Sequence, residues 1–175
     1  MHFTSRDIAA IAVCSALWGV LNTLISPIFW QLTHMPFLCD MLAFVALILV
    51  IWWTRKFGAA SLVGVMVAGM TFTVNPTAFQ MSGFVAASIV FDIVTRLLSY
   101  ERLFKNLTLG GLILVVASVL SAGLAGTIIG TFFMGFKTIE ATLMFAGLHA
   151  IGGLIGAIIG VVLVKALVAR RVKPA

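Results

Sequence analysis

Charge is scarce in this chain: only 9% of its residues are Asp, Glu, Lys or Arg, and the acidic ones number 5. Against this stand 62% hydrophobic residues and a mean hydropathy of +1.22, which leave too little polar surface to cover a water-soluble globule. Catalytic signatures are missing as well. There is no G-x-S-x-G, no H-E-x-x-H, no Walker A run and no His pair at metal-ligand spacing on a helix. These absences leave no local basis for catalysis, a resident metal, a bound cofactor or ATP hydrolysis within the chain. The cysteines, Cys14 and Cys39, fall toward opposite ends of adjacent apolar runs, out of disulfide reach, and are read as packing residues. No small-residue cleavage site interrupts the first apolar run, which also continues too far to be only the core of a secretory signal, so it is expected to stay as a span. No long-period repeat is evident.

What is present is a series of apolar runs that predict six spans, at 7–25, 37–54, 59–73, 83–98, 107–133 and 138–168. Six spans of roughly 20 residues consume about 120 residues. Residues 1–175 are therefore expected to form a single membrane domain, an all-α six-transmembrane-helix bundle with no room for a soluble domain. The basic residues support that count. Arg6, the Arg55-Lys56 pair, the set Arg96, Arg102 and Lys105, and the tail with Lys165, Arg170, Arg171 and Lys173 occupy both termini and every second break, and Lys137 alone sits in an intervening one. Because cytoplasmic loops carry the excess of Lys and Arg, both termini are expected in the cytoplasm, with the plasma membrane as the location. The formal charge of +6 then belongs with anionic inner-leaflet lipids rather than nucleic acid.

Local signals fill in this plan. Pro27 is expected to end span one and to open an outer loop at 26–36, since the residue before a proline is pushed away from helical dihedrals. Further outer loops are expected at 74–82 and 134–137. Asp92 and Arg96 stand four apart on span four, a spacing read as a structural ion couple or a functional contact. Small residues recur at four-residue spacing in Gly152, Gly156 and Gly160 on span six and in Ser118, Ala122, Gly126 and Gly130 on span five, which predicts that these two helices are neighbours. Span three carries Ala60, Gly64 and Ala68, and span one carries Ala12 and Ala16 beside Ser15 and Gly19. The surplus on span one fits a face for another membrane subunit.

Sorting polar residues by depth is more informative, because a polar group within a span is costly unless a partner or a cavity holds it. The outward half collects Asn22, Gln31, His34, Asp40, Asn75, Gln80, Lys137, Glu140 and, deeper, His149. Together with Trp30, Phe29 and Phe79 as flat walls, these define a candidate pocket open to the outside. Each residue has a structural alternative. Asp40 and Glu140 also suit the positive N-terminal ends of their helices, and Glu140 can pair with Lys137. His149 can be a buried neutral histidine bonded to a backbone carbonyl. Asn75 and Gln80 can satisfy turn backbone.

The opening Thr4-Ser5-Arg6-Asp7-Ile8-Ala9-Ala10-Ile11-Ala12 with Ala16 beyond, the basic turn Arg55-Lys56-Phe57-Gly58-Ala59-Ala60 and the six-span plan resemble the substrate-binding S components of energy-coupling factor (ECF) transporters. The resemblance covers nearly the whole chain in length and topology, through loose motifs. It implies high-affinity capture of a vitamin, a vitamin precursor or a transition-metal ion at the outer side. It also implies association with a transmembrane coupling subunit and two cytoplasmic ATPases, the family's Ala-x-x-x-Ala contact falling here on Ala12 and Ala16. The family's pocket implies Trp30, Gln31, His34, Asp40, Asn75, Gln80, Lys137, Glu140 and His149 as substrate contacts. The chain begins Met1-His2 as the nickel and cobalt branch does, but Phe3-Thr4-Ser5-Arg6 lacks that branch's acidic-glycine element. The Arg-Lys-x-Gly-Ala-Ala turn is more similar to the branch associated with thiamine and its hydroxymethylpyrimidine precursor, and Asp40 and Glu140 would suit a cationic heterocycle stacked on Trp30. Two other readings compete: a self-contained small secondary transporter or channel, and an intramembrane enzyme using His34, Asp40, Glu140 or His149 as acid and base.

Overall fold

The computed structural model describes residues 2–174, so Met1 of the amino-terminal Met-His pair lies outside the described residues. The described chain is all α-helical. Its helices are α1 (Ser5–Thr33), α2 (Phe37–Thr54), α3 (Ala59–Val74), α4 (Met81–Leu97), the short α5 (Tyr100–Lys105), α6 (Leu109–Ile128) with a π-helical turn over Ile129–Phe133, and α7 (Ile139–Ala169). Four segments are long and apolar enough to cross a membrane: Ser5–Thr33, Phe37–Thr54, Leu109–Phe133 and Ile139–Ala169. In α3 the apolar run is only 16 residues long, and α4 carries Asp92 and Arg96 within its 17 residues.

The first helix departs from expectation. It does not end at Pro27 but runs through it to Thr33, where His34 caps it in a left-handed conformation with φ 55° and its N–H donates to the Trp30 carbonyl. Proline removes one N–H, the one that would serve the Thr23 carbonyl, whereas ending the helix there would orphan a whole turn of backbone groups; apolar surroundings favour the single loss. Phe29, Trp30 and Gln31 are consequently helical residues, not loop residues.

Glycine sets the closest helix approaches. On α7, Gly153 faces Ser118 and Ala122 of α6, and Gly126 of α6 faces Ala146 and His149, so α6 and α7 are neighbours as the sequence predicts. The Gly152, Gly156 and Gly160 track, however, packs on α2: a Cβ at position 156 would sit 2.5 Å from the Met41 carbonyl oxygen, and one at 160 would sit 3.1 Å from Ile48 Cβ. One helix thus carries two small-residue faces, adjacent in register, for two partners. Gly64 of α3 packs likewise against Ser88 of α4.

Asp92 is fully buried and holds the basic end together. Gly58 and Ser61 donate their backbone N–H groups to its Oδ2 at 2.9 and 3.0 Å, the Ser61 hydroxyl donates at 2.9 Å, and Tyr100 donates to Oδ1 at 3.2 Å. The i,i+4 ion couple does not form; Arg96 is exposed. The reason lies in α3, whose first N–H groups need acceptors while its N-cap Gly58, at φ 94°, has no side chain to supply one. A carboxylate from α4 fills that role. Burial, with this carboxylate alongside, pushes the Tyr100 hydroxyl above the usual phenol range, so it stays a donor. At the same end, Thr4 and Asp7 form a capping box on α1, and Lys56 pairs with Asp7 at 2.6 Å while reaching the His2 carbonyl at 3.1 Å.

Candidate functional site

At the opposite end from the Asp92 network, a cavity of about 520 Å³ opens between α1, α2, α3, α4, the π-helical turn and α7. That volume lies within the range of small-molecule sites. Its wall on α1 comes from Asn22, Ser26 and Trp30, which share one helix face; the Ser26 hydroxyl donates to Asn22 Oδ1 at 3.0 Å. The π-helical turn contributes Ile129 and Phe133, with Met134 just beyond. The turn is closed by Met134 N–H donating to the Ile129 carbonyl; Ile129 is buried, while Phe133 and Met134 border the cavity with part of their surface exposed.

The floor is His149. Its side chain is 2% exposed, its Nδ1 lies 2.7 Å from Oδ2 of the wholly buried Asp40, and Phe145 and Phe84 flank the ring at centroid distances of 4.7 and 5.9 Å. On the α6 side Gly126 makes room for it: a Cβ there would fall 2.8 Å from His149 Cδ2. The approach to Asp40 is a close contact without in-line hydrogen-bond geometry. Among the described residues no other protein group hydrogen-bonds to the Asp40 oxygens or to either ring nitrogen. Buried polar groups are ordinarily satisfied, so this unpaired couple beside the cavity makes it the candidate site.

The structure gathers Trp30, Asn75, Gln80 and His149 on this cavity, with Asp40 directly behind His149. Gln31, His34, Lys137 and Glu140 are exposed and lie off its lining, and Lys137 and Glu140 form no ion pair with each other. The His34 ring sits 5.9 Å from that of Trp30, at the rim of the helix end. Phe29 lines the cavity, whereas Phe79 is turned out. His149 meets a carboxylate rather than a backbone carbonyl. Asn75 serves both readings: its Oδ1 accepts from the Thr77 N–H and hydroxyl, while its side chain borders the cavity. With Asp40 occupied by His149 and Glu140 outside, the carboxylate pair expected to suit a cationic heterocycle is not assembled.

Sequence reasoning missed Ser26, Thr71, Phe84 and Phe145 as cavity residues. For Ser26 the signal was there, four residues after Asn22. Phe84 and Phe145 carried none, since an apolar aromatic in an apolar helix has no mark of its own.

A second hollow, a groove of about 320 Å³, lies at the basic end between Ala9, Ala10 and Val13 of α1 and Trp52 and Trp53 of α2. Its lining is almost wholly apolar, with Arg6 as its one charged residue. Ala12 and Ala16 are exposed on α1 nearby. No family model matches the chain, and no curated protein or solved structure matches it.

Proposed function

We propose that the protein is the substrate-capture S subunit of an ECF-type importer, holding a vitamin or vitamin precursor in the cavity above His149. The observation that carries this reading is the cavity itself: a polar-floored, ligand-sized hollow at the end of the bundle opposite ten of the eleven basic residues. In this reading α3 and α4 also cross, giving six spans in the plasma membrane. The basic end is cytoplasmic and the cavity opens outward. The exposed Ala12 and Ala16 face receives the transmembrane coupling subunit, which connects to two cytoplasmic ATPases. The chain itself performs no catalysis and needs no cofactor.

Purified protein is expected to bind its ligand with no ATP present and to report binding through Trp30 fluorescence. Ala12→Trp and Ala16→Trp are expected to leave that binding within about twofold while abolishing uptake in cells, because they touch a face remote from the cavity. Loss of binding in either variant would return those residues to the internal bundle. Ligand flux in proteoliposomes lacking ATPases would instead favour a self-contained transporter.

A further inference from the structure

The groove at the basic end has a floor, two walls and one cation. Both α1 and α7 pack on α2 rather than on each other, so α2 lies at the bottom of the gap between them. Trp52 and Trp53 of α2 form that floor, with Ala9 and Val13 of α1 on one side and Leu167 of α7 on the other. Small side chains at Ala9 and Ala10 leave the hollow open to about 320 Å³, and its apolar lining suits hydrocarbon. Arg6 precedes Ala9 and Ala10 by three and four residues, which puts it on the same helix face one turn nearer the terminus, at the mouth of the groove. Ala12 and Ala16, on the face assigned to the coupling subunit, are not in the lining.

Among the described residues Arg6 forms no salt bridge, and the carboxylate beside it in the chain, Asp7, is held by Lys56 and Thr4. The other acidic residues of this end are also elsewhere: Asp92 is buried under the α3 turn, and Glu101 lies on α5, whose main neighbour is α6. A cation with free donors over a hydrocarbon-lined slot matches an occupant with an anionic head and an apolar tail. We propose that the groove holds an acyl chain of an anionic phospholipid whose phosphate accepts from the Arg6 guanidinium, a pairing that suits the planar fork of arginine. Trp53, half-buried two residues before Arg55, fits the headgroup level. No free carboxylate on this face receives the ammonium of a zwitterionic headgroup, so the site favours lipids of net negative charge. A partner helix would need an acidic residue at the matching height, whereas a phospholipid carries its anion at the head of its chains by construction. The site requires only that the basic end lie at a membrane surface and is independent of what the cavity captures.

The test uses the full chain purified from membranes in mild detergent, with native mass spectrometry to count and identify bound phospholipid. Wild type is compared with Arg6→Gln, with Ala9→Trp, which fills the groove, and with Arg102→Gln, which removes the same charge from α5. Ala9 is exposed, so the larger side chain meets no packed core, and every protein is checked for monodispersity and helical content. After delipidation each is titrated with phosphatidylglycerol and with phosphatidylcholine of the same chains. Wild type is expected to bind phosphatidylglycerol about fivefold or more tighter than phosphatidylcholine, and Arg6→Gln to lose about fivefold for phosphatidylglycerol, the size expected for one cation at an anionic surface. Ala9→Trp is expected to lose at least as much, for both lipids. Arg102→Gln is expected to stay within about twofold, since an exposed charge away from the groove is screened. Equal losses in Arg6→Gln and Arg102→Gln would reduce the effect to diffuse attraction and overturn the site, as would unchanged binding in Ala9→Trp or equal affinity for the two lipids. A wild type that neither retains nor rebinds phospholipid would also overturn it and leave the groove to a protein partner.

Discussion

Asp92 shows how a single side chain can stand in for a missing cap. It accepts from Gly58, Ser61 and Tyr100, joining α3, α4 and α5 through one carboxylate. Asp92→Ala would orphan two partly buried backbone N–H groups and is expected to cost about 1–3 kcal/mol of stability. Arg96→Ala, by contrast, should stay within about 0.5 kcal/mol, because its side chain lies outside the network. Thermal unfolding in detergent distinguishes the two, and a large effect of Arg96→Ala would restore the i,i+4 ion couple. The carboxylate was visible in the sequence but its role was not. Spacing four along a helix identifies the nearest cation on the same element, whereas the true partners arrive from a turn 34 residues upstream and a hydroxyl 8 residues downstream.

Among the elements, α1 was the hardest to read. Its apolar run placed its start within two residues, yet Pro27 suggested a boundary where the helix in fact continues for six further residues. Local rules weigh the residue before a proline as they would in water, and in an apolar bundle the cost of ending a helix is larger. Pro27→Ala is expected to restore the bond to the Thr23 carbonyl and to stabilise the bundle by on the order of 1–3 kcal/mol. Since Thr23 and Pro27 both line the cavity, ligand affinity should shift in the same variant. An unchanged melting temperature together with unchanged affinity would show that the proline is merely tolerated. The small-residue tracks were legible as contact faces, and the α6 and α7 pairing followed from them. Which face met which helix was not legible, because a one-residue offset between Gly152 and Gly153 changes the partner from α2 to α6.

At the scale of the whole molecule, the ordering of Lys and Arg along the chain was the most legible feature, and the cavity lies at the end these residues avoid. In a background lacking Cys14 and Cys39, a cysteine at position 137 is expected to react with a membrane-impermeant maleimide from outside intact cells. Cysteines at 102 and 171 should react only after permeabilisation. Labelling of all three from one side would break the six-span arrangement. The candidate site was half legible: polar residues pointed to the end where the cavity lies, but which of them line it depends on helix rotation, which the sequence pattern does not announce. Divergence within such a scaffold is constrained at a place with no side chain at all. Because a methyl group on Gly126 would press on His149, a lineage that keeps its histidine must keep its glycine. One that replaces the glycine would have to give up the ring at this position.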